Sequence, residues 1–589
     1  VEIGACENSV VLHDVRNQRW LLFRRPVRIH AAHSLESVES VLLAVEDQVK
    51  ESNLHAAGFV AYEAAPAFDS ALVVKSPGSF PLAWFGIYQE PEPLAFPDIP
   101  EVLLEEIPWE LSVSESEYRS SIDKIKEYIR DGDTYQVNYS FRLRAPFCAD
   151  PWQLFVRMIH AQGYGYGAFV NTQDWTICSA SPELFFQRED RRLTSRPMKG
   201  TVSRGLRQAD DLKKATWLQH SKKNKAENAM IVDMVRNDMG RIADVGSVRV
   251  TRLFDAEKYP TLWQMTSTVQ CATDVGITGI FRAMFPAASI TGAPKARTMQ
   301  IIAELENAPR RIYTGTIGFT SSQHSAQFNV AIRTVLVDRR NNVAEYGVGG
   351  GIVWDSEKGD ELEECRTKAR VLTHTTPDFA LLETILWTPE DGYYLLDDHL
   401  ARIADSAAYF SRPIDIPAIR RKLATFELQL PSRPHRVRLL VPRQNEPVLE
   451  PHVLTPSPQP YRVHLARRPV HSQDPFLYHK TTYRQAYEHA LAASPGSYDV
   501  LLWNERNEIT ESCIANVVVE MDGTLLTPPV TCGLLPGVYR SLMLEQGTIR
   551  EQTIRVEDLQ RCSKVFLMNS VRKTWEVSLV FGKTVPAAG

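Results

Sequence analysis

Several residues in this sequence have types and spacings that could do chemistry. The segment DELEECRTK puts Glu361 and Glu364 three positions apart, on one face of a helix. Glu227, in KAENAMIVDMVRND, lies among polar residues at the start of an apolar helical run. Such carboxylates suit Mg2+, a hard ion that takes few protein ligands and keeps positions open for substrate oxygens. On spacing alone, an acidic helix face in solvent is the plainer reading. The run YGVGGGIV puts Gly349, Gly350 and Gly351 after a strand, where backbone N–H groups could approach an anion, or simply turn the chain. Arg333 lies in the strand-like FNVAIRTVLV, so its charge must face solvent or find a partner.

A second set follows residue 380. Lys480 stands in the polar cluster HKTTYR, which leads into a helix. Glu511 precedes a strand-like run in ITESCIANVVV, and Arg402 sits on the apolar-striped helix DDHLARIADSAAYF. Gly533 to Arg540, GLLPGVYR, is a Gly/Pro turn opening a helix, a geometry that receives phosphate. Taken singly, a Lys, Glu or Arg at such places is structural more often than not.

The elements that must position these residues mix helices and strands throughout, without strict βαβα alternation, so the expected class is α/β (α+β). Ser114 to Arg130 reads as a helix capped by Ser114, with Tyr118, Ile122, Ile125 and Ile129 as its apolar stripe. Ala209 to Met234 and Asp360 to Leu372 also read as helices, and Val330 to Val337, Ala380 to Trp387 and Val517 to Glu520 as strands. Ile87 to Pro108, rich in Pro and Glu, reads as a connector. A boundary is expected near Pro377, dividing the chain into 1–378, with an N-terminal part over 1–110 and a core over 114–372, and 379–589.

Composition limits the choices. The 589 residues are 44% hydrophobic and 23% charged, ordinary for a globular chain. With 66 Lys plus Arg against 71 Asp plus Glu, the net charge of −5 gives no sign of a nucleic-acid partner. Eight cysteines without a C-x-x-C pair disfavour a disulfide scaffold and a thiolate zinc site, and fit a reducing, cytoplasmic setting. The opening residues lack a basic stretch followed by an apolar one, so no signal peptide is expected, and no stretch of 18 apolar residues suggests a membrane span.

From about Ser114 to Leu372 the chain resembles the chorismate-utilizing enzymes, a family that includes anthranilate, aminodeoxychorismate, isochorismate and salicylate synthases. The resemblance is carried by DGDTYQVNYSFRL, ASPELFF, RPMKGT, KAENAMIVDMVRNDMGR, SITGAPKARTMQIIAELE, YTGTIGF, FNVAIRT, YGVGGGIVWDS and DELEECRTKAR, in family order. It implies a large α/β sandwich with the active site between its sheets. Lys199 of RPMKGT falls where anthranilate synthases generally carry Ala and aminodeoxychorismate synthases Lys. The resemblance therefore makes Lys199 a nucleophile that adds at C2 of chorismate as the C4 hydroxyl leaves, before ammonia enters at C4 and expels it. It further implies Mg2+ held by Glu227, Glu361 and Glu364, Glu183 as acid/base, and Arg333, Lys368 and the backbone of Gly349 and Gly350 on the carboxylates. Thr291 would lie in the adjacent substrate loop. Relatives often carry His in an H-L-V-S segment; here QMTS puts Gln264 there, which cannot titrate near neutrality.

The remainder resembles the fold-type IV pyridoxal-phosphate enzymes, among them branched-chain and D-amino-acid aminotransferases and aminodeoxychorismate lyases. HLARIADSA, KTTYR, TESCIAN and GLLPGV carry it. The resemblance implies a two-lobed domain in which Lys480 bonds pyridoxal 5'-phosphate and later moves protons. Glu511 would pair with the pyridine nitrogen, and Arg402 with backbone N–H groups of Gly537 and Val538 would hold the phosphate. Asn569 and Ser570 would close the site. Tyr539 stands where relatives often have a phosphate-binding Thr.

Together the resemblances imply that chorismate and ammonia become 4-amino-4-deoxychorismate, which then loses pyruvate to give 4-aminobenzoate for folate synthesis. The alternatives are an anthranilate-type synthase fused to an aminotransferase, or one half kept as a scaffold. No G-x-C-x-G-x-Q segment surrounds any of the eight cysteines, so a separate glutamine amidotransferase subunit is the expected ammonia source. Fold-type IV relatives are commonly homodimers, which makes a homodimer a further expectation.

Overall fold

The computed structural model describes residues 4, 6–97, 107–163, 165–322, 325–373, 377–443, 446–455 and 461–580. It separates into two compact units. The first comprises Val1–Ser203 and Ala215–Thr376, the second Arg204–Lys214 and Pro377–Gly589. A single cut near residue 378 does not anticipate that the short segment Arg204–Lys214 belongs with the second unit. No helix among the described residues is long and apolar enough to cross a membrane.

The first unit is built on two ten-stranded sheets. In one, Gln136–Pro146, Val343–Ile352, Thr334–Asp338, Trp175–Ser181, Tyr166–Asn171 and Ser9–Asp14 are successive antiparallel neighbours. In the other, Met198–Ser203 and Arg192–Arg196 both pair with Leu262–Ala272, and Leu184–Glu189 continues to Ser325–Val330. Val10, Leu12 and Ile177 of the first sheet share a buried cluster with Phe59, Trp84 and Ile317 of the second, so the sheets pack face to face. Helices cover both outer faces. Tyr118, Ile122 and Leu154 lie against the first sheet, and Val38, Leu42, Ile231 and Val235 against the second. With both faces covered, strands such as WTICSAS are buried along their whole length and lack polar alternation.

Three expected elements change. The helix expected over Ala209 to Met234 is two helices, Gln208–His220 and Lys222–Gly240, because Ser221 accepts from Asn224 N and starts a new one. The strand expected over Val330 to Val337 breaks at Ala331 to Arg333: the chain leaves the second sheet after Val330 and enters the first at Thr334. The expected connector Ile87 to Pro108 contains the edge strand Glu92–Leu94, paired with Arg19–Phe23; its residues 98–106 lie outside those described. The helix capped by Ser114 forms as expected, with Glu117 completing the capping box.

The second unit has a four-stranded sheet, containing Leu381–Thr388, His435–Val441 and Val448–Val453, and an eight-stranded sheet containing Ile509–Ser512, Asn516–Met521 and Lys564–Asn569. Helices Leu396–Tyr409 and Ile416–Glu427 pack on the four-stranded sheet through Leu400, Ile403, Ile419 and Leu423. The segment Arg204–Lys214 is fastened within this unit. The Arg204 guanidinium lies 4.5 Å over the Tyr409 ring, and Tyr409 donates its hydroxyl proton to Gly205 O at 2.8 Å.

Candidate active sites

The first unit holds a cavity of about 290 Å3. Lys199 reaches it from Met198–Ser203 at the margin of the second sheet, and Glu227 from the second turn of Lys222–Gly240. Asn228 of that helix donates to Lys199 O at 3.3 Å and accepts from Ser267 Oγ at 2.6 Å, which fixes the lysine's backbone. Glu361, Glu364 and Lys368 come from the helix Lys358–Ala369. Arg333 turns inward at the break between the sheets, with φ +51°, and donates to Gln162 Oε1. This settles whether its charge faces solvent: the sheet crossing, which strand alternation does not foresee, makes it a buried group.

The electrostatics suit proton and nucleophile chemistry. Burial, then the nearby Lys368 charge, pushes the Lys199 amine below its ordinary value. Burial raises the Glu183 carboxyl to about 7 even though Ser289 donates to it at 2.5 Å and Lys199 lies near. Burial also raises Glu227 and Glu361, with the charge of Glu364 adding to both. Lys368 holds Glu364 below the carboxylate range, through an ion pair of 2.8 Å.

The three expected metal ligands border this one cavity, but among the described residues no three His, Cys, Asp or Glu side chains are gathered to hold a metal. Glu364 is engaged by Lys368, and Glu361 accepts from Ser356 Oγ at 2.6 Å. The glycine run is part of a strand and does not turn the chain. The glycines lie inside Val343–Ile352, where Gly349 is opposite Ser140 and Gly350 opposite Tyr139. Gly349 offers its carbonyl to Lys368 Nζ at 2.9 Å, and Gly350 makes room for the Glu361 carboxylate without bordering the cavity. Gly351 is the glycine the lysine needs: a Cβ there would lie 2.9 Å from Lys199 Nζ. Thr291 does not border the cavity either; its hydroxyl bonds Ala287 O and Ala288 O, and its carbonyl accepts from Asn138 N. Gln264 accepts from Thr201 Oγ1 at 3.2 Å and donates to Gly200 O at 3.0 Å, so it clamps the Lys199 strand. Trp217, Lys223 and Tyr313 also border the cavity; the first two carry no spacing signal, and Tyr313 opens the motif YTGTIGF.

The second unit holds a cavity of about 490 Å3, and every expected residue there borders it: Lys480, Glu511, Arg402, Gly537, Val538 and the pair Asn569 and Ser570. Burial, then Arg402 and Arg484, pushes the Lys480 amine down to about 8. Glu511 lies inside the strand Ile509–Ser512, one step later in structure than its expected place before a strand. Burial raises its carboxyl to about 7, against hydrogen bonds from Tyr487 Oη (2.8 Å), Leu535 N (3.1 Å) and Asn516 Nδ2 (3.1 Å). A Cβ on Gly537 would overlap Asn516 Oδ1, so only glycine lets the chain pass there. Arg402 is fixed by Glu383, at 2.8 and 2.6 Å, and its Nη1 donates to Pro536 O. Glu383 was missed because LLETILWT reads as an ordinary strand. Tyr539 borders the cavity while its ring packs with Val518, Ile549 and Met568.

Known proteins resemble both units. Residues 7–374 match the family model described as chorismate binding enzyme, and residues 380–580 match amino-transferase class IV. Over 258 residues, 44% of this chain, the chain is 38% identical to aminodeoxychorismate synthase component 1 of Escherichia coli, covering 56% of it. It is 39% identical to the Bacillus subtilis protein of the same name over 258 residues, covering 54% of that protein. The chain thus spans just over half the length of these curated relatives. Anthranilate synthase component I from Streptococcus pneumoniae superposes with a TM-score of 0.53 at 23% identity, over 60% of this chain and 92% of that one.

Proposed function

Because this chain belongs to the chorismate binding enzyme family, we propose that its first unit converts chorismate and ammonia to 4-amino-4-deoxychorismate. Its second unit then eliminates pyruvate from that product, leaving 4-aminobenzoate for folate synthesis. The observation that carries this reading is Lys199, a buried amine held below its ordinary pKa in a cavity walled by Glu183, Glu227, Glu361 and Glu364. The names of the matched synthases and the class IV segment support it.

In the first cavity the neutral Lys199 amine attacks C2 of chorismate, and Glu183, poised near neutrality, gives its proton to the departing C4 hydroxyl. Ammonia then bonds C4 and the Lys199 amine leaves from C2. Arg333 and Lys368 offer positive charge to the substrate carboxylates. Glu227, Glu361 and Glu364 supply hard oxygen donors along one wall, and any one or two of them suit Mg2+, which would neutralise a substrate carboxylate when bound. Ammonia comes from a separate glutaminase subunit, for which ammonium salt should substitute.

In the second cavity the residues fit pyridoxal 5'-phosphate. Glu511 is a buried carboxyl anchored by three donors and able to face a pyridine nitrogen, and Gly537 leaves backbone free of a side chain. Arg402 and the N–H groups of Gly537 and Val538 would hold the phosphate, and Lys480 would bond the aldehyde carbon. The cofactor supplies an electron sink. Displaced from the cofactor by the substrate amine, Lys480 would take the proton from C4 of aminodeoxychorismate. The C3–oxygen bond would break, the departing enolpyruvate would take up a proton to become pyruvate, and the ring would become aromatic.

The test is the end product formed from chorismate, ammonium salt, Mg2+ and pyridoxal 5'-phosphate. The expected products are 4-aminobenzoate and pyruvate. Anthranilate, or aminodeoxychorismate accumulating without pyruvate, would refute one half or the other.

A further inference from the structure

The second cavity is strongly cationic. Arg402, Arg436, Arg438, Lys480, Arg484 and Arg572 border it against one carboxylate, Glu511. Most of these cations are already engaged. Arg402 is held by Glu383, and Arg438 pairs with Glu450 at 3.0 Å. Arg484 stacks 4.3 Å over Tyr487, donates to Cys513 O and acts through its charge on Glu511. Lys480 is assigned to the cofactor. Two guanidinium groups remain uncompensated. Among the described residues the Arg572 guanidinium donates only to the Tyr498 hydroxyl, at 2.7 Å. The exposed Arg436 side chain has no hydrogen-bond or ion-pair partner among the described residues.

Both lie on the same wall. Arg436 and Arg438 are two apart on His435–Val441 and so share a face. That strand pairs with Leu381–Thr388, placing Arg438 opposite Thr384, itself a cavity residue. Ser570 donates to Thr384 O at 3.5 Å, and Arg572 closes the same turn, its N–H bonded to Asn569 Oδ1. Partial burial, then the charges of Arg438 and Arg572, lowers the pKa of Arg436, as expected for cations crowded without a counter-ion.

We propose that Arg436 and Arg572 form a carboxylate subsite that selects an amine bearing two carboxylates over a monocarboxylate amino acid. The inference rests on the function proposed above and deepens it. Aminodeoxychorismate carries a ring carboxylate and an enolpyruvyl carboxylate, one for each guanidinium. A branched-chain amino acid would bring one carboxylate and an apolar side chain to a wall carrying two guanidinium groups, leaving one of them without an anion. The arginines therefore separate the lyase reaction from transamination, which the residues around Lys480 do not.

The test uses the full chain loaded with pyridoxal 5'-phosphate, and two readouts. One is the KM for aminodeoxychorismate in pyruvate release. The other is the change in cofactor absorbance on adding chorismate, which has both carboxylates but no amine, with ammonia withheld. Arg436→Gln and Arg572→Gln should each raise KM about 10- to 100-fold, the loss of a charge-assisted hydrogen bond. They should weaken the chorismate response similarly, with kcat and resting cofactor absorbance little changed. Arg436→Lys should recover part of the affinity. Unchanged KM and chorismate response in both glutamine variants overturns the subsite. If the unsubstituted chain releases no pyruvate, the lyase reading fails, and the chorismate response alone decides. Its loss in Arg436→Gln supports the subsite; its persistence there, or its absence from the unsubstituted chain, overturns it.

Discussion

Replacing Glu383 with Gln tests whether a buried carboxylate that touches no reactant organises the second site. Glu383 does not border the cavity; it is bonded to His399 Nδ1 at 2.6 Å and to two nitrogens of Arg402, which does. Burial alone would raise its pKa; Arg402, then His399, reverse this and bring it down from 4.5 to about 2. A depressed carboxylate pKa stabilises the fold above the unfolded value and loses that contribution as pH falls through the folded one. The difference amounts to about 3 kcal/mol at pH 7, about 1 kcal/mol at pH 3 and a few tenths near pH 2. Glu383→Gln imitates the protonated form, so the variant should be less stable by these amounts, with the gap closing in acid. The assay is urea-dependent hydrogen exchange on the cofactor-free chain, read from peptides of Leu381–Thr388 and Leu396–Tyr409, which belong to the second unit. A gap below about 1 kcal/mol at pH 7, or one that persists undiminished at pH 2, would refute the reasoning.

The remaining predictions concern the two lysines and one glycine. Lys199→Ala should abolish aminodeoxychorismate formation or divert it toward anthranilate; unchanged product by chromatography removes Lys199 from the mechanism. The rate at which pyridoxal 5'-phosphate attaches to the cofactor-free chain should rise about tenfold from pH 7 to pH 9 and level off there, because Lys480 titrates near 8. A rate still climbing steeply above pH 9 would show an ordinary lysine. Gly537→Ala should push Asn516 away from Glu511 and weaken cofactor binding about 5- to 100-fold, the cost of one disturbed buried hydrogen bond. Undiminished cofactor affinity, measured by equilibrium dialysis, would count against the cradle.

What the sequence makes legible here is local chemistry; what it hides depends on pairings across long stretches of chain. The capping box at Ser114 and five of the residues that border the second cavity, Arg402, Lys480, Glu511, Gly537 and Val538, lie within short motifs whose own backbone places them. That Gly349 and Gly350 lie in a strand is not legible locally, because their partner strand, Gln136–Pro146, lies some two hundred residues earlier. Once paired with it, a glycine run becomes a strand with room beside it, used by Lys199 Nζ at Gly351 and by Glu361 at Gly350, in place of a turn presenting N–H groups. Arg333 follows the same logic: its inward direction comes from the chain changing sheets, which strand alternation within FNVAIRTVLV does not reveal. Arg436 and Glu383 are the clearest cases. Each looks like an ordinary strand residue, and each gains its significance only from what the fold sets opposite it, a row of cations for one and Arg402 with His399 for the other. Residues proposed to react are therefore easier to pick out in this chain than residues that hold or select. A lysine proposed as a nucleophile sits in a fixed local setting, whereas a counter-charge can come from any strand the fold brings near.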